Sequence, residues 1–358
     1  MNLGVTKGFL RSLQSANATE ENTAKNSINF FMIILYANKF HCVNHLVILR
    51  IVKYFFSMKK LTRIILGLLL STTPTWAQSE KVIIQFKSAP AARHFANRSL
   101  PGVSAIQPLY GTQKWVAAWI EEKKIWALLH SPEIELIEKD ILYTAESTRD
   151  FTDSAAGSLS RQNELWGIQK TRAPDAWKSG ITGSPEVVVA VIDTGINWNH
   201  PDLAPNLWTN LGESGTRANN GKDDDGNGLI DDIHGWDFVT KTGDSDDDWG
   251  HGSHCAGTIG AAGKNPLDGI TGVNWKVSLM PVRWMKDGKG WGSDAISSIR
   301  YAVKMGARIL NNSWGGIGYS KALEEAVREA EAAGVLFVVS AGNHGSNCPV
   351  RAGVTEKG

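Results

Sequence analysis

The sequence predicts an α/β protein: a doubly wound parallel sheet, incomplete at its carboxyl end, with a small α+β unit ahead of it. Three observations carry the prediction. Val187-Val188-Val189-Ala190-Val191-Ile192 is an unbroken apolar run rich in β-branched residues, the pattern of a strand buried on both faces. Between residues 277 and 339, short apolar runs alternate with amphipathic stretches of helical length, as in a parallel sheet wound by helices. Residues 81–138 instead hold short alternating strands around one helix.

At 358 residues and 42% hydrophobic content, the chain can form one large domain or two smaller ones. A net charge of +1 gives no electrostatic reason to expect nucleic acid or an anionic membrane as a partner. Cys42, Cys255 and Cys348 make no disulfide framework, and the odd count leaves a free thiol.

From Met58 the chain reads Met-Lys-Lys-Leu-Thr-Arg-Ile-Ile-Leu-Gly-Leu-Leu-Leu and reaches Thr75-Trp76-Ala77. A basic start, a short apolar core and a small-x-Ala site are the pattern of a secretory signal peptide over 58–77, so the product is expected to be secreted, periplasmic or extracellular. Residues 1–57 show no clean period and no uninterrupted apolar span of about 20 residues. Translation is therefore expected to begin at Met58, with 1–57 an over-extended upstream segment, and no stable membrane span is expected once the signal is removed.

In the unit at 80–147, Lys81 to Lys87, Trp115 to Ile120 and Glu133 to Glu138 read as strands. Glu121 to His130 reads as a helix with acidic residues in its first turn and Ile125, Leu128 and Leu129 on its apolar face. Ser131-Pro132 stops it. Residues 148–163, rich in Ser, Thr, Asp, Ala and Gly, read as an exposed linker.

The main domain is placed at 164–358. After the strand at 187–192, Val277 to Val282 and Arg308 to Asn311 read as strands, and Ser293 to Met305 as a helix capped by Ser293 and stopped at Gly306. Lys321 to Ala333 is a second helix, ended by Gly334, and Val335 to Val339 a further strand. The central strand ends in Asp193-Thr194-Gly195. A charge there is costly unless paired, and in open α/β sheets that edge is also where ligands bind. Alone, such an Asp could equally cap the next loop. Two later stretches join it: His251-Gly252-Ser253-His254-Cys255-Ala256-Gly257-Thr258, and Ser340-Ala341-Gly342-Asn343 at the end of the last strand.

Together these three motifs resemble the subtilisin family of serine proteases. Leu165-Trp166-Gly167-Ile168 and Ala173-Pro174-Asp175-Ala176-Trp177 resemble the opening of the family's mature domain. The resemblance implies polypeptide substrates and peptide-bond hydrolysis, with His251 as general base and Asp193 orienting it. Gly252, Ser253, Ala256 and Gly257 would keep the helix behind His251 thin, and His254 would be structural. Cys255 sits near the base without being the nucleophile. Asn343 would donate to the oxyanion; losing such a donor costs about 3–4 kcal/mol, a figure measured in subtilisin itself. Ser313, Trp314 and Gly315, with Ser340, Ala341 and Gly342, match the segments lining the pocket for the residue before the scissile bond, although the family usually has Leu at Trp314. Gly290 and Gly292 match the edge that pairs with extended substrate. The unit at 80–147 resembles the family's propeptide, an intramolecular inhibitor whose tail, here Ile141 to Ser147, fills the cleft.

Between Asp193 and His251 lies Asp223-Asp224-Asp225-Gly226-Asn227-Gly228-Leu229-Ile230-Asp231-Asp232. Asp223, Asp225, Asn227 and Asp231 set hard oxygen ligands at alternating positions around a glycine turn, a spacing that suits structural Ca2+. No Glu stands at the twelfth position of the loop, where His234 lies. Asp244 and Asp246 to Asp248 form a second acidic run.

The family's nucleophile lies in a Gly-Thr-Ser motif downstream of the oxyanion Asn, and residues 344–358 contain none. A gene truncated before the catalytic Ser, and an inactive polypeptide, are therefore expected. The alternative is a pseudoprotease that binds peptides on the same fold.

Overall fold

The computed structural model describes residues 79–145, 165–262 and 269–343. The expected upstream segment, signal peptide and linker, and the stretch after Asn343, lie outside these, as do Cys42 and Cys348. No helix among the described residues is long and apolar enough to cross a membrane.

The amino-terminal unit runs β1 (Ser79–Phe86), α1 (Ala89–Ala96), β2 (Val103–Pro108), β3 (Trp115–Glu121), α2 (Glu122–Leu129) and β4 (Ile134–Lys139). Its strands form an antiparallel sheet in the order β2-β3-β1-β4. Strand alternation sends Val82, Ile84 and Phe86 to the unit's own core with Phe95 of α1. Ile83, Trp115 and Ala117 point the other way, into the core of the main domain. Both faces of this sheet are therefore buried. The sequence pattern missed α1 and β2. α1 is short and starts at a Ser88 cap followed by a proline in its first turn, and the pairing of β2 breaks its alternation with a register shift between Ser104 and Gln107. Leu129, assigned to the apolar face of α2, is 54% exposed, because the helix rolls Ile125 and Leu128 inward instead.

β5 (Leu142–Ala145) follows, and after the undescribed stretch come two short helices, Trp166–Lys170 and Ala173–Lys178. The main domain then runs β6 (Gly183–Asp193), β7 (Trp236–Asp237), α3 (His251–Gly260), β8 (Lys276–Arg283), β9 (Lys289–Trp291), α4 (Gly292–Lys304), β10 (Ile309–Asn312), β11 (Trp314–Gly315), α5 (Lys321–Ala332) and β12 (Leu336–Val339). Five strands form a parallel sheet in the order β12-β10-β6-β8-β7. Ala190 and Ile192 face one core with Ala295, Ile296 and Ile299 of α4 and Ala322 and Ala326 of α5. Val189 and Val191 face the other, with Ala256 of α3. Helices on both faces make the sheet doubly wound, as the apolar run predicted. Full burial begins only at Val189; Val187 is 37% exposed where the pairing shifts register ahead of Val188.

Helix α4 corrects the predicted cap. It starts at Gly292, Trp291 provides no side-chain cap, and Ser293 stands inside the first turn. The cap comes from the other unit. Asp140 accepts the Ser293 backbone N–H at 2.9 Å and its hydroxyl at 2.6 Å. Lys81, 3.2 Å from Asp140, balances the charge. Glu138 does the same for α5, accepting from the Ser320 hydroxyl and from the N–H groups of Lys321 and Ala322. Orphan N–H groups and the positive helix end make each site receptive to a carboxylate.

Asp140→Ala removes one partner of a buried pair and leaves Lys81 uncompensated, so it should cost about 3 kcal/mol of unfolding free energy in a denaturant titration; a loss under about 1 kcal/mol would mean that the cap is not holding the units together.

Candidate active site

Parallel strands bring their carboxyl ends to one edge, and the chemistry collects there. β6 ends at Asp193, paired in register with Arg283 at the end of β8, and β10 ends beside it at Asn312. Asp193 is fully buried. Its Oδ1 accepts the Thr194 N–H at 2.8 Å and lies 2.7 Å from Nδ1 of His251, the first residue of α3. An ionised carboxylate only accepts, so Nδ1 carries a proton in either charge state of the ring, and Nε2 is the nitrogen that gives up and takes back the second one. The other carboxylate oxygen, Oδ2, is buried without a hydrogen-bond partner among the described residues.

Burial raises the Asp193 carboxyl above its ordinary 3.8, against the pull of the His251 hydrogen bond. For His251 burial works in the opposite sense, but the hydrogen bond to Asp193 and the neighbouring Cys255 outweigh it and lift the imidazolium from 6.5 to about 10. The Cys255 Sγ lies 4.0 Å from Nδ1, one helical turn along α3 and on the same ring nitrogen that faces Asp193. Burial would raise this thiol, yet hydrogen bonds with His251, His254 and Ser313 bring it below its usual value. On the Nδ1 side, the sulfur is not placed to receive a proton shuttle through Nε2.

α3 reaches Asp193 because its first turn carries no bulk. A Cβ on Gly252 would lie 2.1 Å from the Gly195 carbonyl oxygen, so only glycine permits the approach. Ser253 does more than stay small: its hydroxyl donates to Asp247 and accepts the Asn197 N–H.

Among the residues assigned to substrate, Gly290, Trp314 and Gly315 flank a single extended segment, with Gly292 at its end. β5 lies between β9 and β11 as the middle strand of an antiparallel sheet, pairing Tyr143 with Gly290, Thr144 with Gly315 and Ala145 with Trp314. The Gly292 N–H donates to the Ile141 carbonyl at 2.8 Å and the Ala145 N–H to that of Gly288, also at 2.8 Å. Trp249 contacts Gly288 and packs 5.9 Å from the His251 ring, which brings this strand alongside the Asp–His pair. Tyr143 is buried, with its ring edge-on to Trp314 at 5.2 Å and Trp284 at 6.2 Å. A Cβ on Gly316 would stand 2.6 Å from that ring. Trp314 thus walls the niche of Tyr143, two residues before Ala145. Its indole N–H donates to the Ile192 carbonyl. The Ser313 hydroxyl accepts from Asn311. Ser340, Ala341, Gly342 and Asn343 lie exposed beyond β12, at the same sheet edge, with the Ser340 N–H on the Asn312 carbonyl.

In the acidic loop, Asp223 and Asp225 come together with Glu213, with ligand oxygens within 4.8 Å of one another. Glu213 is fully buried; its Oε1 accepts the Asp224 and Asp225 N–H groups and its Oε2 has no partner among the described residues. Sequence spacing could not reveal Glu213, which enters from a turn ten residues earlier. Asn227 touches this cluster as a donor, its backbone N–H reaching Asp223 and Asp225 and its side-chain amide Asp225, while Asp231 turns to other partners. The Asn227 carbonyl oxygen Oδ1 accepts the Leu229 N–H, and the Asp231 carboxylate accepts the Asn220 and Gly221 N–H groups. In the second run, Asp248 pairs with Arg283 at 2.6 Å while Asp247 turns toward α3, so these carboxylates do not converge.

Residues 184–356 match the profile of the Subtilase family. The chain is 39% identical over 184 residues to subtilisin-like protease 1 of Plasmodium berghei (strain Anka), covering 51% of this chain and 30% of that protein. It is 34% identical over 185 residues to thermitase of Thermoactinomyces vulgaris, covering 51% and 56%. Over 275 residues it is 30% identical to the thermophilic serine proteinase of Bacillus sp. (strain AK1), covering 75% and 59%. The chain thus spans less than two thirds of the length of each.

A raised histidine value stabilises the fold fully below the unfolded pKa of about 6.5 and less as pH climbs through the folded one. The unfolding free energy of wild type minus that of His251→Gln should therefore hold constant up to about pH 6.5 and shrink toward about pH 10; a difference that grows over that interval would contradict the assigned pairing.

Proposed function

Residues 184–356 belong to the subtilase family, and from that premise we propose that this chain carries the acid–base half of a secreted serine endopeptidase, held under its own amino-terminal unit. The observation that carries the reading is the 2.7 Å contact between His251 Nδ1 and Asp193 Oδ1 at the carboxyl edge of the sheet. Asp193 fixes the tautomer, Nε2 takes the proton of a serine hydroxyl as it attacks the scissile carbonyl, and the imidazolium formed is stabilised by the buried carboxylate. His251 then returns that proton to the leaving amine. Asn343 supplies the oxyanion donor. Residues 1–358 contain no Gly-Thr-Ser segment, so the serine hydroxyl of this reading is one that these residues do not supply.

The strand seated between β9 and β11 supports an inhibitory role for residues 80–147. β5 uses the main-chain groups that extended substrate would use, and Tyr143 fills the niche a substrate side chain would enter. Asp140 and Glu138 fasten the unit on α4 and α5, so release requires giving up one buried and one partly buried set of charged contacts.

We assign Ca2+ to Glu213, Asp223 and Asp225. An unpartnered, fully buried Glu213 oxygen fits a hard cation, and three carboxylates at this spacing would otherwise repel one another. Bound there, the ion would neutralise the cluster and hold the loop between Asp193 and His251.

A fluorophosphonate probe should label a polypeptide that carries these residues together with a Gly-Thr-Ser segment, lose the label in His251→Ala, and leave residues 1–358 unlabelled; labelling that survives His251→Ala would overturn the assignment of the base. For the metal, chelation should lower the melting temperature of wild type, and Glu213→Gln should weaken Ca2+ binding by about tenfold or more in calorimetry. A melting temperature indifferent to chelator would remove calcium from the account.

A further inference from the structure

Asp247 lies four residues ahead of His251, outside every role assigned so far, and its carboxylate is the most heavily hydrogen-bonded in the neighbourhood of the Asp–His pair. Oδ1 accepts the Thr194 hydroxyl at 2.8 Å, the Trp249 N–H at 3.0 Å and the Gly250 N–H at 2.9 Å. Oδ2 accepts the Ser253 N–H at 2.9 Å and the Ser253 hydroxyl at 2.6 Å. The Thr194 hydroxyl oxygen in turn accepts the Gly252 N–H at 2.9 Å. One charge therefore grips the residue that follows Asp193 and, at the same time, the first turn of the helix that begins with His251.

Gly250, the residue before α3, has no side chain with which to cap it, so the first N–H groups of the helix depend on Asp247 and Thr194. The two elements touch through bare backbone at Gly252 and Gly195, where no side chains interdigitate to set their spacing. The neighbours of Asp247 are engaged elsewhere: Asp246 accepts the Trp198 and Asp247 N–H groups, and Asp248 pairs with Arg283. The donors surrounding Asp247 overcome the effect of burial and hold its carboxyl below the usual range, consistent with a permanent charge.

We propose that Asp247 is a positioning residue for the catalytic pair, the anionic tie that keeps His251 Nδ1 in hydrogen-bonding register with Asp193. Every one of its partners donates, so an acceptor with two oxygens is required; the amide of Asn would turn its NH2 toward a donor and break one side of the tie. The proposal rests on the reading of Asp193 and His251 as acid–base machinery, but the contact it protects can be observed without turnover.

The test uses the full chain with histidine labelled in 15N. The Nδ1–H of His251 should give a strongly downfield proton resonance, identified by its loss in Asp193→Asn. In Asp247→Ala, that resonance should vanish or exchange with water at least about tenfold faster, the effect of one lost net hydrogen bond. Thr194→Val, nearly isosteric and so the safer variant for folding, cuts the link between strand end and carboxylate together with the acceptor for the Gly252 N–H, and should act in the same direction, with Thr194→Ser keeping the wild-type signal. Asp248→Ala should leave the resonance in place. If Asp247→Ala and Thr194→Val lower the melting temperature yet keep the resonance and its exchange rate, Asp247 only stabilises the fold and the proposal fails. That outcome leaves the peptidase reading intact, whereas absence of the resonance from wild type would count against the Asp193–His251 pair itself.

Discussion

A carboxylate placed at the end of a strand that is buried on both faces must be answered by donors, and the architecture around β6 can be understood as the set of those answers. Asp193 is fully buried and takes its hydrogen bonds from the Thr194 N–H and from His251. The first donor comes free with the turn that follows the strand. The second requires a helix from 58 residues further along the chain to arrive with its first residue 2.7 Å away. An unpaired charge there would cost several kcal/mol, so the position of α3 is a condition of the strand's existing in this form and not a later embellishment.

The same logic of carboxylates on orphan N–H groups recurs at larger scale. Asp140 and Glu138 of the amino-terminal unit cap α4 and α5 of the main domain, and Asp247 caps α3. Helices α4 and α3 open without a side-chain cap at the residue before them and receive a carboxylate instead, whereas α5 adds Glu138 to its own Ser320 cap. The consequence for the cleft is specific. With the amino-terminal sheet pinned by one buried and one half-buried carboxylate, β5 runs between β9 and β11, and Tyr143 drops between Trp284 and Trp314. Packing and polar contacts thus agree on one arrangement, with a strand of the amino-terminal unit seated between β9 and β11.

Much of this was legible from residue patterns. The β-branched run announced a buried parallel strand, and the period of Ile296, Ile299 and Val303 announced α4. The glycines around His251 announced a helix with a thin face. What failed was local in each case. Ser293 looked like a cap because Ser favours that position, yet the cap arrives from Asp140, 153 residues earlier. Leu129 looked buried because helical spacing cannot say how far an eight-residue helix rolls on its sheet. Asp231 looked like a ligand because spacing around a glycine turn is shared by metal loops and by turns that bind their own N–H groups.

Amino-acid order alone determined the strand–helix alternation, the candidates Asp193 and His251, and the family they resemble, because side-chain period and short motifs are written along the chain. Tertiary structure alone decided that Glu213 joins Asp223 and Asp225, that Trp314 walls the niche of Tyr143, and that Asp247 ties two elements together. Those facts depend on distances between residues far apart in sequence, and hydrogen bonds act over about 3 Å of space whatever the number of residues between the partners.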